Sequence, residues 1–285
     1  MCVLVCMPHY AFLAAMEKAS HNKVRAKKFL GQHFLHDQNT ARRIVESLLV
    51  SGHEEVLEIG PGMGVLTRYL VDNPDISLTL VEIDRDSVAY IKQHFPLLRE
   101  RIIEGDFLTL DLSKVMPTPF SIIGNFPYNI SSQIFFKILE QPDSVRQVVC
   151  MLQKEVADRI ASPPGNKTYG ILSVLLQTYY RIENRFKVSP GVFTPPPKVM
   201  SAVIRLQRNE RMSLDCDEKL FIQVVKQGFN NRRKTLRNAL KSMNLDAQLV
   251  SLPILDKRAE QLSVEMFIDL TQSIEKSRGT ATGGI

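Results

Sequence analysis

From Asp37 onward, short apolar runs alternate with segments of helical period, and each run ends in a glycine or a polar loop. "EVLEIGPGMG", "SLTLVEID", "RIIEGDFL", "FSIIGNFPYN" and "RQVVCMLQ" read as strands. "NTARRIVESLLV", "LTRYLVDN", "DSVAYIKQHF" and "SSQIFFKILE" space their apolar residues as helices do. Repeated β-α units leave one economical solution, a mostly parallel α/β sheet of Rossmann-like type with helices on both faces. Such sheets bind ligands outside the carboxyl ends of their strands, and every unusual residue of this sequence falls there.

The first strand end, "LEIGPGMGVLT", carries Gly60, Gly62 and Gly64, which let backbone turn sharply and pass close to a ligand. Val65 stands where a GxGxxG dinucleotide fingerprint needs its third glycine, and no GK[ST] follows. A nicotinamide oxidoreductase and a P-loop nucleotide site are therefore disfavoured. The second strand ends in Glu82, 20 residues after Gly62, and then Asp84. A carboxylate at that point can accept hydrogen bonds from the hydroxyls of a ribose. The third strand end supplies Asp106, an acceptor for the exocyclic amine of adenine. A glycine loop and two acids, without a phosphate-binding lysine, describe an adenosine bearing a cation. S-adenosylmethionine fits that description.

The fourth strand end reads "IIGNFPYN" (122–129). An aromatic amine is a poor nucleophile because its lone pair is delocalised into the ring. Two hydrogen-bond acceptors on its protons draw the nitrogen towards tetrahedral geometry and aim the lone pair. The amide oxygen of Asn125 and a backbone carbonyl beside Pro127 supply such acceptors. Pro127 stiffens the loop and donates no N–H, and Tyr128 offers a face on which a base can stack. Phe126 reads as packing. Alignment of this kind is worth about 7–11 kcal/mol in intramolecular reactions, so no strong base is required.

Bulk properties exclude more than they assign. Apolar residues make up 44% of the 285 and charged residues 23%, an ordinary globular balance with a formal charge of +6. Cys2, Cys6, Cys150 and Cys216 form no CxxC pair and have no histidine cluster near them, so neither a metal site nor a disulfide framework is expected. Inert thiols in a reducing, cytoplasmic setting are expected instead. No apolar run reaches the roughly 18 residues of a membrane span. The opening "MCVLVCMPHYAFLAAMEKAS" lacks the basic start of a secretory signal and reads as a loose extension over residues 1–20.

Taken together, the motifs closely resemble the KsgA/RsmA family of rRNA adenine dimethyltransferases, from about Lys27 to near residue 260. "KKFLGQHFLHD", "LEIGPGMGVLT", "VEIDRD", "GDFL" and "GNFPYNIS" match five successive family motifs, and "MLQKEVADRI", "YGILSVLLQ" and "FTPPPKVMSAVIRL" look like family sequence. The resemblance implies cofactor contacts at His33, Leu35, Gly60, Glu82, Asp106 and Asn125, and Tyr128 and Phe193 as aromatics flanking the target adenine. The family more often has Asn at the position of His33, which can still reach the cofactor through its backbone. It more often has Leu or Ile at the position of Phe126, an apolar exchange. The resemblance also implies two adjacent adenosines in the 3′-terminal hairpin loop of 16S rRNA, each receiving two methyl groups.

Past "SPGVFTPPPKVMSAVIRL" the chain turns polar and then helical, which sets a boundary near residue 207. The expected organisation is a catalytic domain over 21–206 and a helical, rRNA-binding domain over 207–285 with a disordered tail. "KQGFNNRRKTLRNALK" (226–241) carries six basic residues and no acid, and Phe229, Arg233 and Arg237 at spacings of four place charge along one helical face. Arg232, Arg233, Lys234 and Arg237 are the RNA-binding candidates, joined by five basic residues in "KASHNKVRAKK" (18–28). The implied partner is 16S rRNA in the small subunit, met by a monomer. DNA adenine or protein glutamine methyltransferases usually have a second proline where this chain has Phe126. A non-catalytic assembly factor with the same fold would be signalled by loss of Glu82, Asp106 or Asn125, and all three are present.

Overall fold

The computed structural model describes residues 24–116 and 119–281; the expected extension over 1–20 lies outside them. The first half runs β1 (Phe34–Leu35), α1 (Gln38–Val45), β2 (Glu54–Ile59), α2 (Thr67–Val71), β3 (Ile76–Glu82), α3 (Arg85–His94), β4 (Ile102–Glu104), α4 (Leu112–Val115) and β5 (Phe120–Asn125). It continues with α5 (Ser131–Ile138), β6 (Val145–Gln153), α6 (Lys154–Ile160), α7 (Ile171–Tyr179), β7 (Tyr180–Val188), β8 (Phe193–Thr194) and β9 (Ser201–Arg208). The last part is helical: α8 (Glu218–Asn230), α9 (Leu236–Ala239), α10 (Ala247–Val250) and α11 (Val264–Ala281).

Seven strands form one sheet in the order β4-β3-β2-β5-β6-β9-β7, parallel except for β9, which runs antiparallel to both its neighbours. Strand alternation sorts the core into two layers. Val56, Ile123, Val149 and Val203 face α1, α2 and α3, whereas Leu57, Ile122, Val148 and Ile204 face the other side. Helix starts are capped by acids that also end loops: Asp37 Oδ1 accepts from Thr40 N at 2.7 Å, and Asp217 Oδ1 from Leu220 N at 2.6 Å.

The second layer has no seam at the end of the sheet. Leu172 and Leu176 of α7, Leu220, Phe221, Val224 and Val225 of α8 and Phe267 of α11 belong to one continuous cluster with the sheet residues. Phe229 bridges it, 6.2 Å from the Tyr169 ring and 6.0 Å from that of Phe267.

Two expectations about the helical part are corrected. The basic run is not one helix: α8 ends at Asn230 and α9 begins at Leu236, so Phe229, Arg233 and Arg237 share no face. Asn230 and Asn231 are weak helix formers, and no apolar residue continues the periodicity from Asn230 to Thr235. The final helix runs to Ala281, into the tail expected to be disordered.

Candidate active site

The chain order reverses between β2 and β5, and a cavity of about 270 Å³ opens at the carboxyl ends of the strands at that switch point. The two strands approach so closely that a Cβ on Gly124 would stand 2.5 Å from the Ile59 carbonyl oxygen. The glycine loop forms one wall. Gly60, Gly62 and Gly64 all have positive φ (67°, 55° and 75°), the region L side chains rarely enter. Beyond the backbone their surroundings differ. A Cβ on Gly60 would meet nothing within 4 Å, one on Gly62 would come within 3.0 Å of the Phe34 ring, and one on Gly64 within 2.4 Å of the Phe95 ring.

Glu82 closes β3 in the cavity wall, with its carboxylate already gripping the glycine loop. Oε2 accepts from Gly62 N at 3.1 Å and Oε1 from Asp84 N at 2.9 Å. Burial pushes this carboxyl up, opposed by those backbone donors. Asp106 is half-buried, and its Oδ1 accepts from Leu108 N at 2.9 Å, which leaves acceptor capacity on the group.

Glu58, which the sequence reading did not single out, is a third acid on this cavity. It is 1% exposed, bonded by Thr67 Oγ1 at 2.8 Å, and burial pushes it up to about 8, with Glu82 adding repulsion. An acid whose folded pKa is raised binds more protons in the native state. Its contribution to stability is full below about 4.5, falls as the pH climbs and is gone above about 8. Glu58→Gln is therefore expected to flatten the pH dependence of the melting temperature between those limits. An unchanged slope in a thermal titration would remove Glu58 as its source.

Residues 27–36 strap across the top of the cavity. Lys27 Nζ donates to Asp84 Oδ1 at 2.5 Å and Asp86 Oδ2 at 2.8 Å, and Gln32 Nε2 donates to Asp84 Oδ2 at 3.0 Å. Burial works to raise the Asp84 carboxyl, but the Lys27 and Gln32 bonds hold it below the usual range. Lys27 thus fastens the strap. Pairing of β1 with β8 holds the far end, with Leu35 buried opposite Phe193.

The strap delivers the contact that matters most for Asn125. Asn125 Nδ2 donates to the His33 carbonyl at 3.0 Å. A carbonyl can only accept, so the amide's NH2 end is committed to the strap, and its oxygen is the end left to receive a donor. His33 is itself anchored, its Nδ1–H donating to the Pro195 carbonyl at 2.7 Å. Tyr128 follows on the same loop, half-buried, its hydroxyl 2.5 Å from Ser201 Oγ and its ring 5.4 Å from that of His33. The Pro127 carbonyl accepts from Ile130 N at 3.2 Å, closing the loop. Phe126 is 1% exposed and packs edge-on against Phe135.

His33, Leu35, Gly60, Glu82, Asp106, Asn125, Pro127 and Tyr128 all line this cavity. Phe193 does not. It is 2% exposed and buried with Leu35 and Val188 in the first layer, because strand alternation turns Thr194 outward and Phe193 in. Among the described residues no group of His, Cys, Asp and Glu could hold a metal ion, and no helix is long and apolar enough to cross a membrane. Cys150 is buried, and burial raises its thiol.

The basic candidates divide. Arg232 Nη2 donates to the Lys167 and Tyr169 carbonyls at 2.6 and 2.8 Å. Arg237 is clamped by Asp256 Oδ1, at 3.0 Å from Nε and 2.7 Å from Nη2, and by the Val250 carbonyl. The Arg237 guanidinium holds loops of the helical part together, and that of Arg232 ties this part to the loop before α7. Arg233 and Lys234 are exposed and have no side-chain partner among the described residues.

Residues 23–276 match the ribosomal RNA adenine dimethylase family. The chain is 59% identical over 253 residues to the ribosomal RNA small subunit methyltransferase A of Cytophaga hutchinsonii, covering 88% of this chain and 98% of that one. It is 56% identical over 261 residues to the protein of the same name from Parabacteroides distasonis, covering 90% and 98%. Among solved structures, a dimethyladenosine transferase from Plasmodium falciparum shares the fold at a TM-score of 0.73 and 23% identity, over 86% of this chain and 98% of that chain. The 23S rRNA methyltransferase ErmE aligns at 0.61 and 26% identity, over 84% and 99%. A continuous match from the strap to the last helix leaves one conclusion: the chain belongs to the ribosomal RNA adenine dimethylase family.

Proposed function

We propose that this chain transfers methyl groups from S-adenosylmethionine to the N6 amines of two adjacent adenosines in the 3′-terminal hairpin loop of small-subunit rRNA, twice at each. The orientation of Asn125 carries the reading. Its amide nitrogen is committed to the His33 carbonyl, so its oxygen faces an incoming donor such as an aromatic amine.

The cavity suits the methyl donor. Glu82 and Asp106 line it beside Glu58, which burial pushes up to about 8, among the described residues no lysine or arginine does, and the backbone lies open at Gly60. Carboxyls without cations favour a positively charged nucleoside and disfavour a phosphorylated one. Glu82 and Asp106 would hold ribose and adenine. S-adenosylmethionine, when bound, supplies an electrophilic methyl group.

The protein's own work is alignment. Asn125 Oδ1 and a carbonyl beside Pro127 accept the two protons of the target amine, and Tyr128 supports the base. The Tyr128 ring is held by Ser201, and burial keeps its hydroxyl protonated by raising its pKa. The methylated nitrogen carries positive charge and loses its proton to water. Incubating the protein with labelled S-adenosylmethionine and small subunits from a strain lacking the modification should place label in dimethyladenosine. Digests with no labelled dimethyladenosine would refute the proposal.

A further inference from the structure

The acidic cavity opens onto a second space of opposite character. A groove of about 1330 Å³ runs between the strap and the loop 194–199, and shares Gly31, Gln32, His33, Phe34, Met63 and Tyr128 with the cavity. Arg25, Lys28 and Lys198 line it together with His33 and His36, and among the described residues no aspartate or glutamate does. All three cations are exposed and form no ion pair among the described residues. The neighbouring Lys27 shows what a structural cation looks like here, fastened to Asp84 and Asp86. Three charges without counter-charges along one groove set up a positive potential that attracts an anionic ligand.

We infer that this groove is a phosphodiester-binding site, in which Arg25, Lys28 and Lys198 hold the backbone phosphates that flank the target nucleotide. The inference rests on the proposed function and deepens it. It places the first electrostatic contact of the RNA beside Tyr128, apart from the helical basic run. A single-stranded loop is the form that fits, because the base must leave its stack to lie against Tyr128 while its phosphates stay outside. The three cations come from both sides of the groove, Lys28 from the strap, Arg25 from just ahead of it and Lys198 from the loop 194–199, so a strand lying between them is gripped from both edges.

The test is salt dependence. Binding of unmethylated small subunits is measured by filter retention from 50 to 200 mM KCl, for the unaltered protein and for Arg25→Ala/Lys28→Ala/Lys198→Ala. Each phosphate contact on single-stranded nucleic acid contributes about 0.7 to the slope of log K against log salt, so the triple variant should lose about 2. Its affinity at the lowest salt should fall at least tenfold, while its affinity for S-adenosylmethionine and its melting temperature stay unchanged. Lys27→Ala serves as the contrast: it should loosen the strap and weaken cofactor binding, with the slope intact. An unchanged slope and kcat/KM in a triple variant that binds cofactor normally would overturn the inference. Failure of the unaltered protein to methylate small subunits would instead overturn the proposed function. Lys198→Glu gives a second reading, since reversal at one position should exceed the effect of its neutralisation.

Discussion

Asn125→Ala is expected to lower turnover by roughly a hundredfold or more, the scale on which enzymes lose rate when one preorganised transition-state hydrogen-bonding group is removed. Cofactor affinity should stay within about tenfold, or ~1.4 kcal/mol, because Glu82, Asp106 and the glycine loop are untouched. Asn125→Asp sharpens the test. It keeps an acceptor oxygen but loses the NH2 that donates to the His33 carbonyl, and it sets a carboxylate against that carbonyl at a 3.0 Å contact. If orientation matters as argued, Asp fails nearly as badly as Ala. Isothermal titration with S-adenosylmethionine beside single-turnover methylation separates the outcomes. Equal losses of binding and rate would mean that Asn125 serves the cofactor and not the amine.

Gly64→Ala is the larger structural perturbation. Its φ of 75° costs an L residue about 1–2 kcal/mol. The added methyl would lie 2.4 Å and 2.7 Å from two carbons of the buried Phe95 ring, and forcing such a contact adds about 1–3 kcal/mol. Together they predict a melting temperature lower by about 5–15 °C. Gly60→Ala should divide its effect differently. It carries the same backbone penalty but enters open space in the cavity wall, so it should cost a few degrees while weakening cofactor binding at least tenfold. Similar behaviour of the two variants in thermal melts and cofactor titrations would show that Phe95 yields and that the loop has no division of labour.

Much of the site was legible because a parallel sheet concentrates function at strand ends, and strand ends can be read from apolar runs. Glu82, Asp106 and Asn125 were found that way and line one cavity. Glu58 was not, because it lies inside an apolar run and looks like an outward-facing strand residue until the helix bearing Thr67 covers it. The Lys27–Asp84 fastening joins residues 57 apart, and no local pattern reports a pairing at that range. Strand β7 escaped notice because its residues alternate weakly and it lies at the sheet's edge. Phe193 came from resemblance to a motif, and a motif does not say which way a two-residue strand turns its side chain. The broken basic helix shows the same limit: four-residue spacing predicts a shared face only where the backbone between stays helical.

The continuous interior beneath α7 and α8 constrains how specificity can be exchanged between relatives. A chimaera spliced at Arg208 would cut no strand and break few backbone hydrogen bonds, yet it would divide the single cluster that joins Leu172 and Leu176 of α7 with Phe221 and Val224 of α8. The unit that can be transplanted is therefore not a segment of chain. It is the helical part together with the inner surface of α7 and Tyr169, and a graft that omits those donor residues inherits a mismatched interior before it meets any RNA.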